Sequence, residues 1–288
     1  MLRYIACVAT LLALSAFASP LGPDGQSGVR LPGKFVWLDL ATEDPASARA
    51  FYGAVFGWKF TPARSPAAPY ALIENATGKV AGIFRHERPA GASVGARWIA
   101  LMSVPDARTT ADLVRARGGK VLVEPDTFAG RGTHAVFRDP DGAVFGVLVT
   151  EGGDPPDTPV EQGDVFWLDL FSPDPSKAAA FYAAIGGYEV ARGEIAGRSR
   201  TLLASQGIAR AGIAHLPAGA QKPAWLPYVL VDDVRGTLER AQQAGGRIVM
   251  APRDDVLDGN VAVIADREGG VIGLVKWPSD ASAADGSR

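Results

Sequence analysis

Thiols are almost missing from this chain. Its one cysteine, Cys7, lies close to the N-terminus. If that segment is removed, the remaining chain can form neither a disulfide nor a thiolate metal site. Histidine is nearly as scarce: His86, His134 and His215 are the full set, and no two stand at metal-ligand spacing. Charge of one sign is lacking too. Lys and Arg number 29 against 31 Asp and Glu, for a net charge of −2, and no basic run occurs. Nothing therefore draws the chain toward nucleic acid or an anionic membrane. A Ser-His-Asp set, a phosphate-binding loop and a dinucleotide fingerprint are also missing.

Residues 1–18 have the layout of a secretory signal peptide. Arg3 precedes an apolar stretch from Tyr4 to about Phe17, and Ala16-Phe17-Ala18 forms an A-x-A cleavage pattern before Pro20. The expectation is a secreted or periplasmic protein beginning near Ser19. The alternative is an uncleaved anchor, although the run is short for a membrane span. Residues 19–33 read as a flexible leader, 151–163 as an interdomain linker rich in Pro, Gly and acid, and 279–288 as a disordered tail.

The rest of the chain says the same thing twice. FVWLDLATEDPASARAFYGAVFGW at 35–58 recurs as VFWLDLFSPDPSKAAAFYAAIGGY at 165–188, an offset of 130. Trp98, Gly118-Gly119, Asp139 and Gly146 then recur as Trp225, Gly245-Gly246, Asp266 and Gly273, an offset of 127. Two copies of one domain follow, 34–150 and 164–278. The period is too long for a solenoid and long enough for each copy to bury a core.

Within a copy, Lys34–Ala41 alternates as a strand with two different faces: Phe35, Trp37, Asp39 and Ala41 on one, Val36, Leu38 and Leu40 on the other. Asp44-Pro45 is a helix start, and Gly57 is a left-handed stop. Extended segments follow, and the strand-helix-strands order repeats from Trp98, closing on a DPDG hairpin turn. Each copy thus holds two β-α-β-β-β units. The aliphatic strand face should pack on the helices, which leaves the Trp37/Asp39 face free.

These motifs, WLDLATED…FYGAVFGW with FRDPDGAVFGVLV and WLDLFSPD…FYAAIGGY with ADREGGVIGLVKW, resemble the vicinal oxygen chelate superfamily of glyoxalase, bleomycin-resistance and extradiol dioxygenase proteins. The wording is most similar to tandem glyoxalase-like proteins labelled as hydroxylases. The resemblance implies an α+β fold of two tandem glyoxalase-like domains, each pair of units forming an open β-cup with the ligand site inside. It also implies metal ligands on the first and last strand of each unit. In register, those places fall at Trp37, Gly82, Ile99 and Gly146, and at Trp167, Gly212, Leu226 and Gly273. None of these can coordinate a divalent cation, so the expectation is a metal-free protein without cofactor.

Two readings of the cup stand side by side. The last-strand glycines either hollow it opposite a Trp wall, or let the large Trp37 fill the space over Gly82 or Gly146. Trp37 and Trp167 either stack on a ligand or belong to the core. Asp39 and Asp169 point the same way as these Trp residues. A carboxylate among apolar strands can act as a general base or accept a ligand's hydrogen bonds; the alternative is a structural Asp. Asp44 and Asp174 read as helix caps, Asp139 and Asp266 as hairpin-turn residues. His134 stands opposite Val261 of the second copy and reads as a core or edge residue, and His86 and His215 as loop residues. Tyr70 replaces Arg200 of the other copy. The favoured function is binding of a small apolar or aromatic molecule by Trp37, Tyr70, Gly82, Ile99, Gly146, Trp167, Gly212, Leu226 and Gly273. The alternatives are a metal-independent lyase, isomerase or hydroxylase-like enzyme with Asp39 or Asp169 as base, and an interaction module whose cups are filled.

Overall fold

A computed structural model describes residues 27–63, 70–87, 95–195, 198–217, 219–220 and 222–277. The expected signal peptide, most of the leader and the C-terminal tail lie outside these residues.

Each repeat builds one mixed eight-stranded sheet. In the first, β1 (Phe35–Thr42), α1 (Pro45–Phe56), β2 (Lys59–Pro62), β3 (Tyr70–Glu74) and β4 (Lys79–Arg85) form one unit. The second unit is β5 (Ala96–Ser103), α2 (Ala107–Ala116), β6 (Lys120–Phe128), β7 (Gly132–Arg138) and β8 (Val144–Thr150). The strand order is β2-β3-β4-β1-β5-β8-β7-β6, so the two units join along their first strands. The second repeat repeats this plan with β9 (Val165–Ser172), α3 (Pro175–Gly186), β10 (Glu189–Ile195), β11 (Arg198–Ser205) and β12 (Ile208–His215), then β13 (Ala224–Leu230), α4 (Val234–Gln243), β14 (Arg247–Met250), β15 (Val261–Ala265) and β16 (Val271–Val275). Neither sheet closes into a barrel, and the architecture is the α+β double cup that the resemblance implies.

The helix boundaries follow from local chemistry. Asp44 accepts from the amides of Ala46 and Ser47, and Gly57 ends α1 at φ 71°; Asp174 and Gly187 do the same for α3. Such a cap is worth about 1 kcal/mol. Strict alternation, however, fails at the start of β1. A bulge between Phe35 and Trp37 shifts the register against β5. An inserted residue turns the preceding side chains over. Phe35 therefore joins Leu38 and Leu40 on the helix side, while Val36 joins Trp37 on the cup side. The matching bulge in β9 falls between Val165 and Trp167.

The helices lie between the sheets: α1 packs against α4, and α2 against α3. One core runs through both repeats, with the Phe35 and Trp225 rings 5.0 Å apart. Two reciprocal hydrogen bonds cross it. The Tyr52 hydroxyl donates to Asp266 at 2.9 Å, and the Tyr182 hydroxyl to Asp139 at 3.0 Å. Trp98 and Trp225 donate to the two Tyr oxygens, each at 3.0 Å. Asp139 and Asp266 are the hairpin-turn residues expected, accepting backbone amides of their own turns. They also serve the opposite repeat. Burial raises the pKa of both, against the pull of those amides and the Tyr hydroxyls.

Residues 27–33 of the leader run along the linker. Asp154, fully buried, accepts from the Leu31 amide and from the hydroxyls of Ser103 and Thr150. Lys34, also buried, donates to the carbonyls of Pro155 and Pro156 and pairs with Asp157 at 3.0 Å.

Candidate functional site

With the helix faces joined, each sheet is left with a cup face on the outside. In the first repeat β1 sets Trp37 and Asp39 on that face. Asp39 stands opposite Gly82 of β4 and Ile99 of β5, and Trp37 opposite Leu101, which in turn faces Gly146 of β8. The structure thus brings Trp37, Asp39, Gly82, Ile99 and Gly146 onto one floor, with Tyr70 of β3 at its edge.

The floor is a polar network under an apolar wall. Asp39 Oδ1 accepts from Trp37 Nε1 at 2.9 Å and from the Tyr70 hydroxyl at 2.7 Å. Trp37 Nε1 also reaches the Tyr70 oxygen at 2.8 Å. Asp39 Oδ2 takes a charge-assisted bond of 2.5 Å from Arg131, whose guanidinium lies 5.4 Å from the Tyr70 ring centre. Burial and the Asp39 carboxylate push the Tyr70 phenol well above its usual range, so it remains a donor. Burial opposes the charge on Arg131, but Asp39 and Tyr70 outweigh it and raise the pKa. His134 of β7 is held below the ordinary histidine value by burial and by Arg131, and is neutral at neutral pH. Val36, Leu101 and Leu148 pack around Trp37, with Leu72 and Ile99 half-buried above them.

The second cup uses the same four group types from different positions. Trp167 Nε1 donates to Asp169 Oδ1 at 3.0 Å, the Tyr228 hydroxyl bonds Asp169, and Arg200 lies 3.8 Å away. Tyr228 stands where the first repeat has Leu101, and Arg200 where it has Tyr70. Burial raises the pKa of Asp169, with Arg200, Trp167 and Tyr228 pulling it back. Above this network the cup is occupied by its own side chains, including Phe171, Met250, Val256, Leu257 and Trp277.

The glycines do not leave slots. A Cβ on Gly82 would meet Tyr70 and Asp39, one on Gly146 would meet Leu101, one on Gly212 would meet Asp169, and one on Gly273 would meet the Tyr228 ring. Trp37 is not the filler over Gly82 or Gly146. The missing side chains make room for the polar network and its apolar neighbours.

Sequence reasoning missed Arg131, Leu101 and Tyr228. All three lie at places where the repeats differ, and Asp258 stands at Arg131's place. His134, read as a core or edge residue, lies beside Arg131 on the cup side. His86 and His215 are exposed at strand ends.

The donor set does not fit a divalent cation. The four places expected of metal ligands hold an indole, an alkyl group and two glycines. The nearest carboxylate, Asp39, already has a guanidinium on one oxygen and two donors on the other. Among the described residues, no cluster of three His, Cys, Asp or Glu could hold an ion.

Comparison with known proteins agrees with this architecture. The anthracycline biosynthesis protein DauV of a Streptomyces species is 31% identical, covering 89% of this chain and 98% of its own length. DnrV of Streptomyces peucetius, also named as an anthracycline biosynthesis protein, is 31% identical over 83% of this chain and 95% of its own. Among solved structures, the Mn(II)-bound glyoxalase from Novosphingobium aromaticivorans superposes with a TM-score of 0.55 at 19% identity, over 86% of this chain and 82% of that one. The latter shows the fold alone. The family pattern matches residues 34–147 and 165–274, and the chain belongs to the Glyoxalase/Bleomycin resistance protein/Dioxygenase superfamily.

Proposed function

We propose that this protein binds a small apolar or aromatic molecule without metal, and that the first cup does the work. Membership of the superfamily supports a small-molecule binding or enzymatic role. The observation that carries the narrower reading is a like-for-like difference between the cups. Leu202 and Leu226 of the second cup are only 4% and 7% exposed, whereas their counterparts Leu72 and Ile99 are half-buried. An accessible apolar wall over a fixed polar floor is the usual make-up of a ligand site. The names of the two Streptomyces relatives favour a flat aromatic ligand. Residues 1–18 would export the protein before it meets that ligand.

Naphthalene is the simplest probe. Its titration should quench tryptophan fluorescence in the wild type and in Leu226→Trp. Ile99→Trp, which fills the first cup, should abolish the response. Equal responses in the two variants would overturn the assignment to the first cup. The enzymatic reading has one observation in its favour, the raised pKa of Asp169, as a base would need. Against it, Asp169 lies beneath a filled cup and Asp39 is held by three donors. Turnover that is lost in Asp39→Asn or Asp169→Asn while binding persists would establish it.

A further inference from the structure

Two buried side-chain nitrogens in the first cup have no hydrogen-bond partner among the described residues: Arg131 Nε, which can only donate, and His134 Nδ1, which donates in one tautomer of the neutral ring. Buried polar atoms are nearly always bonded, and those that are not call for an explanation. A comparison within the molecule makes the point. Arg210, buried in the leader–linker cluster, donates from Nε to Ser205 and from both terminal nitrogens to Asp157, and also reaches Gln206. Arg200 Nε of the second cup also lacks a hydrogen bond, but it faces the Asp169 carboxylate at 3.8 Å. Arg131, which bonds Asp39 through a terminal nitrogen, is left with an idle Nε and has the unbonded His134 Nδ1 on the same cup.

We propose that the first cup takes an uncharged aromatic carbonyl compound, whose carbonyl oxygen accepts from Arg131 Nε and His134 Nδ1. This rests on the reading of the first cup as a small-molecule site and names the chemistry of its ligand. The acceptor follows from the idle Arg131 Nε–H, which His134 joins as its Nδ1–H tautomer. The lack of charge follows from the balance of the floor. Asp39 and Arg131 cancel, and His134 is neutral, so an anionic ligand would sit beside the buried Asp39 with no cation left to pair it. A cationic ligand would compete with Arg131 for Asp39 and be repelled by it. Either ion would also lose its hydration at an apolar wall. The aromatic body follows from the half-buried Leu72 and Ile99, the accessible part of an apolar layer in which Trp37, Leu101 and Leu148 are buried.

These two nitrogens lie beneath an exposed turn at the edge of the cup. Arg131 stands in the β6–β7 turn between Gly130 at φ +79° and Gly132 at φ +112°. Phe128, 39% exposed, covers the His134 ring at a centroid distance of 4.6 Å.

The test is calorimetric titration of the full-length protein, near neutral pH, with three probes of similar shape. Naphthalene has no acceptor, 2-acetylnaphthalene has a neutral carbonyl, and 2-naphthoate is an anion. The ketone should bind about tenfold or more tighter than naphthalene, as expected for a buried hydrogen bond from a charged donor. It should also bind tighter than the naphthoate. His134→Phe keeps the ring under Phe128 and removes the donor; Arg131→Lys keeps a cation for Asp39 and removes Nε. Each should shrink the ketone's advantage over naphthalene, both ligands being measured on the same variant, and if the lysine variant does not fold, His134→Phe decides alone. A ketone no tighter than naphthalene, an advantage that survives His134→Phe, or a naphthoate that binds best overturns the inference and leaves the first-cup reading standing. Failure of all three probes, naphthalene included, overturns both.

Discussion

The two cups share a floor plan and differ in what lies above it. Each has a Trp and an Asp two residues apart on the first strand, with a Tyr and an Arg gathered around the carboxylate. The first cup draws Tyr70 from β3 and Arg131 from a turn; the second draws Tyr228 from β13 and Arg200 from β11. A buried carboxylate needs donors whatever their origin, and each repeat has met that need from the side chains its own sheet offered. The difference is in accounting for space. A Tyr in place of Leu101 fills the centre of the second cup, and Val256, Leu257 and Trp277 pack against its apolar cluster, half-buried themselves. In the first cup the centre keeps a leucine, and the wall above it stays accessible. Duplication thus kept the framework in both halves and left one half free to be packed as a second core.

That contrast can be broken by mutation. The largest effect is expected at the aspartates. Asp39→Asn leaves Arg131 without its carboxylate in a buried setting, and should cost about 3 kcal/mol or more of stability. Asp169→Asn keeps acceptors for Trp167 and Tyr228, and loses only an ion pair 3.8 Å long; its cost should stay below about 1 kcal/mol. Urea unfolding of both variants measures this, and equal losses would mean that the two floors are energetically alike. The same experiment run against pH sharpens it. The raised pKa of folded Asp169 gives stability that is fully present below the unfolded carboxylate value of about 4, and is lost as pH rises through the higher folded value. The Asn variant lacks this term, so it should gain on the wild type as pH climbs from about 4 through the folded value, and hold that gain above it.

Tryptophan insertion comes next in size. Leu226→Trp forces a large ring into a filled cup and should cost about 1–3 kcal/mol. Ile99→Trp enters a half-open one and should melt close to the wild type. A larger loss at Ile99 would show the first cup to be as packed as the second. The crossed Tyr bonds should erase the contrast instead: Tyr52→Phe and Tyr182→Phe should each cost about 1 kcal/mol, and by similar amounts, because the two bonds are made the same way. Smallest of all is the effect of chelation. EDTA should leave the melting temperature of the wild type unchanged, since a metal bound only to the folded state would stabilise it by mass action; a drop would reopen metal chemistry in one of the cups.

Much of this was legible in the sequence, and the reasons are instructive. The offset repeat with its Asp-Pro starts and Gly stops gave the helices and the order of elements along the chain, because caps and turns are local chemistry; the order of strands across each sheet came only with the structure. The strict alternation of Phe35, Trp37 and Asp39 did not survive, because a one-residue bulge leaves no mark in the hydrophobic pattern when both faces are apolar. Arg131 and Tyr228 escaped for a different reason. Comparing the copies highlights what they share, and these residues perform one duty from unmatched positions. The Tyr52–Asp266 and Tyr182–Asp139 bonds were half visible: all four residues stood out as matched pairs, but nothing in a single chain says that a Tyr in one copy answers an Asp in the other.

Those crossed bonds have a consequence for how the chain is put together. Each half carries a hydroxyl that only its mate's hairpin satisfies, together with an apolar helix layer that only its mate covers. Two fragments cut within 151–163 should therefore seek each other out in solution and reassemble as a split protein. One fragment alone has a ready substitute in a second copy of itself, since the same tyrosine and the same turn would meet across a two-fold axis. The covalent joint then sets which halves meet, and the docking surface itself is built to work without it.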